Sequence, residues 1–430
     1  MLPAPLPASP AAMRQWAHEP AAAVNRRRTE VFALSALDRT GSPAAPSHDA
    51  RVPVPAAAGV ERSAACAPSA FRPADAVDLA ALRRVLVVKL RHHGDVLLAS
   101  PVFSVLKNHA PHLEIDALVY DETRDMLARH PAISALHVVG REWRESGPVA
   151  QLRAEWDLLA RLRARRYDLL VHLTDHRRGA TLARLLRPRY AVAPNEPGKD
   201  RFWKRSFTHL YELPRGGRRH MVELNLDALR RLGVQPEADE RALVLVPGRE
   251  AEAKVEQLLA ASGLAGRAFV HVHPTSRWLY KCWPESRFAS LLDRLHDAGW
   301  PAVLTAAPSA AEMAMLGTIR GATRAPVVDL GGKLSLEELA ALSARARLFI
   351  GVDSAPMHIA AAMATPLVAL FGPTGEVTWG PWSRRARIVT SDAFPCRPCG
   401  RDGCGGGKLS ECLATLPVEQ VLRAAEELLA

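Results

Sequence analysis

Beyond residue 84, short apolar runs alternate with amphipathic stretches of about 10–15 residues. Runs rich in β-branched residues, such as VLVVKL at 85–90, are typical of buried strands, and the longer stretches have the 3.6-residue period of helices. The predicted strands are 85–90, 114–119, 136–139, 169–173, 190–193, 268–273, 302–306, 326–330, 348–352 and 367–371. The predicted helices include 100–109, 149–163, 223–232, 250–261, 284–298, 310–319, 336–344, 356–363 and 417–429.

This alternation occurs twice, in two halves of about 160 residues each. Strands that alternate with helices form βαβ units and parallel sheets, so the expected fold class is α/β. We therefore predict two Rossmann-like domains that face a cleft. The N-terminal domain is expected over residues 84–247 and the C-terminal domain over residues 248–430.

Residues 1–80 differ from the rest of the chain. They contain 23 Ala and 11 Pro and show little periodic apolar patterning. Such a segment cannot bury enough apolar surface to offset the entropy that is lost on ordering. We predict a disordered extension that carries no chemistry.

Composition and charge narrow the class of protein. The 430 residues are 48% hydrophobic and 23% charged, which is typical of a globular chain. No apolar run approaches about 18 residues and no secretory signal is evident, so we expect a cytoplasmic protein without a transmembrane segment. The formal charge of +11 favours anionic partners. We expect no nucleic-acid partner, because the basic runs lack the interleaved aromatic residues of a recognisable binding module.

The first candidate for chemistry is the loop after the first predicted strand, Arg91-His92-His93-Gly94-Asp95. Ligands bind beyond the carboxyl ends of strands in open α/β sheets, where a carboxylate can act as a general base toward a hydroxyl. Equally, Asp95 would cap a helix and Gly94 would only ease the turn. Spacing does not decide between these interpretations. The two histidines have no acidic or cysteine partner at metal-ligand spacing.

A second candidate is the loop 273–284, which leaves a predicted strand and enters a helix. Thr275, Ser276 and Lys281 provide two hydroxyls and an ammonium where a phosphate would meet a helix N-terminus. The alternative is a surface loop in which Trp278 and Trp283 act as packing anchors.

A third candidate is the segment 351–358, which ends a strand and opens a helix rich in small residues. Small side chains let a diphosphate approach the first turn, whose N–H groups and dipole favour negative charge. Ser354 adds a hydroxyl beside Asp353. His358 faces the same turn, although a single histidine in a helix is more often structural.

The cysteines at 396, 399, 404 and 412 form a fourth group, near the C-terminus. Four thiols this close can hold zinc, but the spacing is not that of a standard zinc finger. We interpret them as a local structural clip rather than a catalytic centre.

Three of these segments together resemble the lipopolysaccharide heptosyltransferases of glycosyltransferase family 9. They are 85–101 (VLVVKLRHHGDVLLASP), 273–284 and 349–381 (FIGVDSAPMHIAAAMATPLVALFGPTGEVTWGP), and they occur in the family's order. The resemblance covers about 84–428. The Arg-His-His before Gly94 and the cysteine-rich tail are most similar to the heptosyltransferase III subgroup, which adds a branching heptose to the inner core.

The resemblance implies a GT-B fold, with the acceptor in the N-terminal domain and ADP-heptose in the C-terminal one. It also implies inverting transfer that requires no metal or other cofactor. Asp95 matches the family's proposed general base, and Lys281 matches a lysine that contacts the donor diphosphate. The other matches to donor-binding residues are Thr275, Ser276, Glu312, Asp353, Ser354, Ala355 and His358.

The implied reaction moves heptose from ADP-heptose to an inner-core heptose of lipopolysaccharide, in the cytoplasm and peripherally at the inner face of the inner membrane. Arg177, Arg178, Lys204 and Arg205 are assigned to the phosphorylated acceptor by charge and domain alone. Three alternatives remain at this point. Within the enzyme class, the alternative is a related transferase with a different nucleotide sugar or acceptor. The other two are a sugar-nucleotide-binding protein without catalytic activity and a nucleic-acid-binding protein that uses the +11 charge.

Overall fold

The N-terminal half of the chain builds a parallel sheet of six strands. These are β1 (Arg84–Val88), β2 (Glu114–Tyr120), β3 (Ala135–Val139), β4 (Leu169–His172), β5 (Tyr190–Pro194) and β6 (His209–Tyr211). The helices of this half are α1 (His93–Leu97), α2 (Ser100–His109), α3 (Pro148–Arg165), α4 (Arg177–Leu186), α5 (Arg201–Lys204) and α6 (Met221–Arg231). The computed structural model describes residues 73–430 except 141–142, 144–146, 215 and 217–218.

The C-terminal half builds a second parallel sheet of six strands. These are β7 (Val270–His273), β8 (Ala302–Leu304), β9 (Val327–Asp329), β10 (Leu348–Val352), β11 (Leu367–Leu370) and β12 (Ala386–Val389). Its helices are α7 (Arg249–Ala261), α8 (Glu285–Asp297), α9 (Ala310–Ala322), α10 (Leu336–Arg345), α11 (Ala355–Ala362), α12 (Glu376–Trp379), α13 (Glu411–Ala414) and α14 (Val418–Leu429). Short 3₁₀ segments occur at Leu79–Ala81, Asp121–Met126, Asp239–Arg241, Leu279–Lys281 and Cys404–Gly406.

Both sheets have the strand order of a doubly wound fold. The first runs β3-β2-β1-β4-β5-β6 and the second β12-β11-β10-β7-β8-β9, with every pairing parallel. Successive strands are therefore added to one side of the sheet and then to the other. The change of side falls between β1 and β4 in the first sheet and between β7 and β10 in the second. This confirms the predicted α/β class and the two Rossmann-like halves. The exact domain boundary at 247/248 stays a prediction.

Alternate side chains of the central strands enter different cores. Leu86 and Val88 point to the face that α3 and α4 cover. Val85 and Val87 point to the other face, where the apolar core continues without a break into residues of the second half such as Phe349 and Met357. The two sheets therefore share the core on this second face. Residues 73–430 lie within one compact unit.

The start of the described chain differs from the composition-based expectation. Residues 73–80, grouped above with the disordered extension, pack on the first half. Val77 is buried and its N–H donates to the Leu232 carbonyl at 2.9 Å, while Arg231 pairs with Asp75 at 2.7 Å. The reason is that Val77, Leu79 and Leu82 supply apolar side chains to the core. The rest of the predicted extension, residues 1–72, lies outside the described residues.

Among the described residues, no helix combines the length and the apolar character needed to cross a bilayer.

Candidate active site

The candidate residues collect at the two places where the strand order reverses. In open α/β sheets, such reversal points leave a crevice at the carboxyl ends of the strands, where ligands bind. Asp95 follows β1, beside β4. The loop with Lys281 follows β7, and the segment with Asp353 follows the adjacent β10. The fold thus places all three sequence segments where ligand chemistry is expected.

The two crevices meet where α1 contacts α11. A Cβ atom on Gly94 would lie only 2.9 Å from Cδ2 of the His358 ring, so the glycine permits this approach. His358 is buried, and its Nδ1 has no hydrogen-bond partner among the described residues. Burial lowers the pKa of His358 to about 4, while the nearby carboxylates of Asp353 and Asp95 act in the opposite direction. The candidate base Asp95 and the donor-side residue Asp353 therefore both lie near the His358 ring.

Asp95 lies inside the first turn of α1. The N-cap of that helix is His92, so the interpretation of Asp95 as a capping residue is wrong. Its carboxylate is partly exposed at the reversal point of the first sheet. A carboxylate placed this way can accept a proton from a bound hydroxyl, provided that the hydroxyl comes within hydrogen-bond distance.

An ion pair joins the two donor-side loops. Nζ of Lys281 lies 2.7 Å from Oδ2 of Asp353, and both side chains are largely buried. The Lys281 ammonium also lies 5.1 Å from the centre of the Trp278 ring. Ser354 is the N-cap of α11, but its hydroxyl donates to the Val352 carbonyl at 3.2 Å rather than capping the helix. Ala355 begins α11, so its small side chain leaves the positive end of the helix accessible to an anion.

Thr275 and Glu312 form a buried polar pair deeper in the same half. Oγ1 of Thr275 donates to Oε2 of Glu312 at 2.8 Å, and Ser309, the N-cap of α9, donates to the other carboxylate oxygen at 3.2 Å. Ser276 is also buried, and its hydroxyl accepts from the Trp278 N–H at 3.4 Å. Glu312 of α9, which is 37 positions away in the sequence, therefore contacts the donor-side loop.

The two tryptophans of this loop have different roles. Trp283 is fully buried and its Nε1 donates to the Leu416 carbonyl at 3.0 Å, as expected of a packing anchor. Trp278 is partly exposed, and its ring centre lies 5.7 Å from that of His92 in the first half. Trp278 thus links the loop of the candidate base to the loop of Lys281.

The four basic residues assigned to an acceptor lie at one edge of the first sheet. Arg177 and Arg178 begin α4, Lys204 ends α5, and Arg205 follows it. Arg177 pairs with Asp200 at 3.0 Å and lies over the Phe202 ring, which brings α4 and α5 together. Arg178 forms an ion pair with Glu155 of α3. Their relation to an acceptor stays a prediction.

Sequence reasoning missed Lys89, which lies at the carboxyl end of β1. Its Nζ is buried and donates to Oδ1 of Asn225 at 2.9 Å and to the Leu173 carbonyl at 3.2 Å. Burial lowers the pKa of Lys89 to about 8, and the carboxylates of Asp95 and Asp175 act in the opposite direction. A single cation within the apolar run VLVVKL was the available signal.

The cysteine-rich loop packs against the donor-side loop, where the Ser410 hydroxyl donates to the Tyr280 carbonyl at 2.6 Å. Cys412 is buried, whereas Cys396, Cys399 and Cys404 are exposed. Within the described part of the chain, no three or more His, Cys, Asp or Glu side chains are grouped so that they could hold a metal ion. The structural clip stays a prediction.

The comparisons with known proteins agree with this geometry. The family model for glycosyltransferase family 9 (heptosyltransferase) matches residues 156–409. A lipopolysaccharide heptosyltransferase 3 of Escherichia coli is 37% identical over 343 residues, which cover 79% of this chain and 97% of that protein. A lipopolysaccharide heptosyltransferase 1 of Pseudomonas aeruginosa is 28% identical over 75% of this chain and 87% of its own length.

Solved structures show the same fold. A family 9 glycosyl transferase from Veillonella parvula has a TM-score of 0.71 at 24% identity and covers 83% of this chain and 99% of its own. The E. coli heptosyltransferase WaaC, solved with ADP, has a TM-score of 0.63 at 21% identity and covers 80% and 99%. These likenesses confirm the expected GT-B fold. The match to the family model and the 37% identity across nearly the whole length of a relative show that the chain belongs to glycosyltransferase family 9.

Proposed function

We propose that the protein is an inverting transferase that moves heptose from ADP-heptose to a heptose of the lipopolysaccharide inner core. The observation that carries the proposal is the contact of Gly94 with His358, because it brings Asp95 beside the donor segment. The 37% identity to an E. coli lipopolysaccharide heptosyltransferase 3 supports the donor sugar and the acceptor class. None of the relatives described above supports another nucleotide sugar or a protein that only binds one.

In the proposed reaction, Asp95 accepts the proton of an acceptor hydroxyl as its oxygen attacks the anomeric carbon. The new carbon–oxygen bond forms on the face opposite ADP, while the bond from the anomeric carbon to the diphosphate oxygen breaks. Lys281 and the N-terminus of α11 offset the negative charge that develops on the departing ADP. Thr275, Ser276 and Glu312 shape the part of the pocket that holds the remainder of the donor.

The acceptor carries phosphates and a lipid anchor, so the enzyme works peripherally at the inner face of the inner membrane. Arg177, Arg178, Lys204 and Arg205 supply positive charge on the acceptor side of the first sheet. Charge of this kind attracts phosphorylated acceptors and anionic surfaces alike.

The test is the substitution Asp95→Asn, assayed with ADP-heptose and a lipid-free inner-core oligosaccharide. Loss of a positioned base is expected to lower kcat by about 10²–10⁴-fold. The Kd for ADP, measured by calorimetry, should stay unchanged. Asp239→Asn, which alters an exposed carboxylate in a surface turn, serves as the matched control. Transfer by Asp95→Asn at the wild-type rate would show that the base assignment is wrong, and ADP binding without any transfer by the wild type would favour a binding protein.

A further inference from the structure

Helix α3 presents apolar side chains to solvent. Val149, Leu152 and Trp156 are 81%, 69% and 64% exposed. Their spacing of three and four residues places them on one face of the helix. The opposite face carries Leu158 and Leu162, which are buried against the first sheet. The helix therefore has two apolar faces, and only one of them is covered within the described structure.

The segment of the chain that contains this stripe is positively charged. Residues 148–205 contain 14 Lys and Arg against 6 Asp and Glu, so they carry most of the net charge of the chain. Arg153, Arg161 and Arg163 are exposed on α3 itself. The two acidic residues of α3 do not interrupt the stripe. Glu155 is paired with Arg178, and Asp157 lies about 100° around the helix axis from Trp156.

The position of the stripe relates it to the candidate active site. Helix α3 follows β3, so its first turns lie at the carboxyl edge of the sheet, the edge that carries Asp95. The ion pair of Glu155 with Arg178 joins these turns to the basic residues of the acceptor side. The helix covers the sheet face of Leu86 and Val88, away from the face whose core continues into the second half. The second half therefore does not cover the stripe.

We propose that Val149, Leu152 and Trp156, together with the flanking arginines, insert into the headgroup region of an anionic bilayer. The inference rests on the proposed function, in which the acceptor is anchored in such a membrane. A helix with Trp and Leu on one face and arginines beside them lies in the membrane interface, and each nearby cation adds attraction to anionic lipid. A second copy of the chain is a poorer occupant, because a two-fold contact would bring two positively charged surfaces together.

The experiment is co-sedimentation of the full chain with vesicles of phosphatidylethanolamine and phosphatidylglycerol. The double variant Val149→Ser/Leu152→Ser and the single variant Trp156→Ser should each bind about tenfold more weakly or worse. The matched control, Ile388→Ser/Leu409→Ser, removes exposed apolar side chains from the second half and should bind like the wild type. Vesicles of phosphatidylcholine alone, or added salt, should also weaken binding of the wild type.

Transfer to the lipid-free oligosaccharide separates this inference from the proposed function. The stripe variants are expected to keep transfer to that acceptor within about twofold of the wild type, since they touch no group in the reaction. Unchanged vesicle binding by the stripe variants would overturn the inference, as would a dimer in solution that Trp156→Ser dissociates. Equal loss of transfer to the lipid-free acceptor would also overturn it. If the wild type binds vesicles through the stripe but transfers no heptose to any acceptor, the surface stands and the proposed function fails.

Discussion

The ring of His358 lies so close to Gly94 that a Cβ atom there would come within 2.9 Å of its Cδ2 atom. Gly94 belongs to α1, the helix after β1, and His358 belongs to α11, the helix after β10, so this contact joins the two halves at the candidate active site. Because the contact is this close, adding a single methyl group at Gly94 tests whether the two halves meet here as described.

Gly94→Ala should lower both stability and activity. Alanine in a helix would ordinarily stabilise by about 0.5–1 kcal/mol, but overpacking against a buried ring costs about 1–3 kcal/mol. We expect a net loss of about 1 kcal/mol in the free energy of unfolding and a fall of about tenfold in kcat/KM. Gly317→Ala is the control, since nothing lies within 4 Å of its Cβ position in α9. A variant at Gly94 as stable and active as the wild type would contradict the close contact.

Lys281→Met should destabilise the protein and weaken ADP binding. It leaves the buried carboxylate of Asp353 without its cation, which costs about 3 kcal/mol in unfolding free energy. The double variant Lys281→Met/Asp353→Asn should recover most of this stability but not the affinity for ADP. Denaturant unfolding and calorimetry measure the two effects.

An exposed ion pair provides the comparison for Lys281. Arg387 pairs with Glu427 at 2.8 Å, and the two side chains are 45% and 51% exposed. Exposed pairs contribute about 0–1 kcal/mol, so Arg387→Met should change stability little. Equal losses of stability in Lys281→Met and Arg387→Met would contradict the burial argument.

Thr275→Val should affect donor binding more than turnover. The valine removes the hydrogen bond to Glu312, whose buried carboxylate then loses a donor at a cost of about 1–3 kcal/mol. We expect a raised KM for ADP-heptose with kcat changed less, and recovery in Thr275→Ser. Thr318→Val, which removes a hydroxyl from the exposed side of α9, is the control. A fall in kcat alone would assign Thr275 to the reacting groups instead.

Buried histidines should make the fold sensitive to acid. Burial lowers the pKa of His130 and His358 to about 4 and that of His172 and His273 to about 3. The unfolded chain, with histidine pKa values near 6.5, therefore binds protons that the folded chain does not bind. The free energy of unfolding should fall as the pH drops from about 6.5 toward about 4, by about 1.4 kcal/mol per pH unit for each histidine.

Denaturant unfolding across this pH range measures the slope. His172→Gln removes one of the four groups and should reduce the slope by about 1.4 kcal/mol per pH unit. A wild-type slope that begins only below about pH 4 would assign acid sensitivity to carboxylates instead.

The fold was predictable from the sequence because the central strands are strongly apolar. The strand 348–352 and the helix 100–109 have the predicted bounds. The edge strands β6 and β12 were missed, since β6 has three residues and the middle of β12 is exposed, so neither shows a buried apolar run. The site was only partly predictable. The partner of Lys89 is Asn225, 136 positions away, and no local pattern reveals such a contact.

The core that runs from Val85 and Val87 into Phe349 and Met357 limits how the two halves can be recombined. A chimaera that took its C-terminal half from a relative with another donor would bring together apolar surfaces that were shaped by different neighbours. The contact of α1 with α11 would be rebuilt in the same exchange. Changes of donor in this architecture therefore come more readily from substitutions within the loops after β7 and β10 than from trading whole halves.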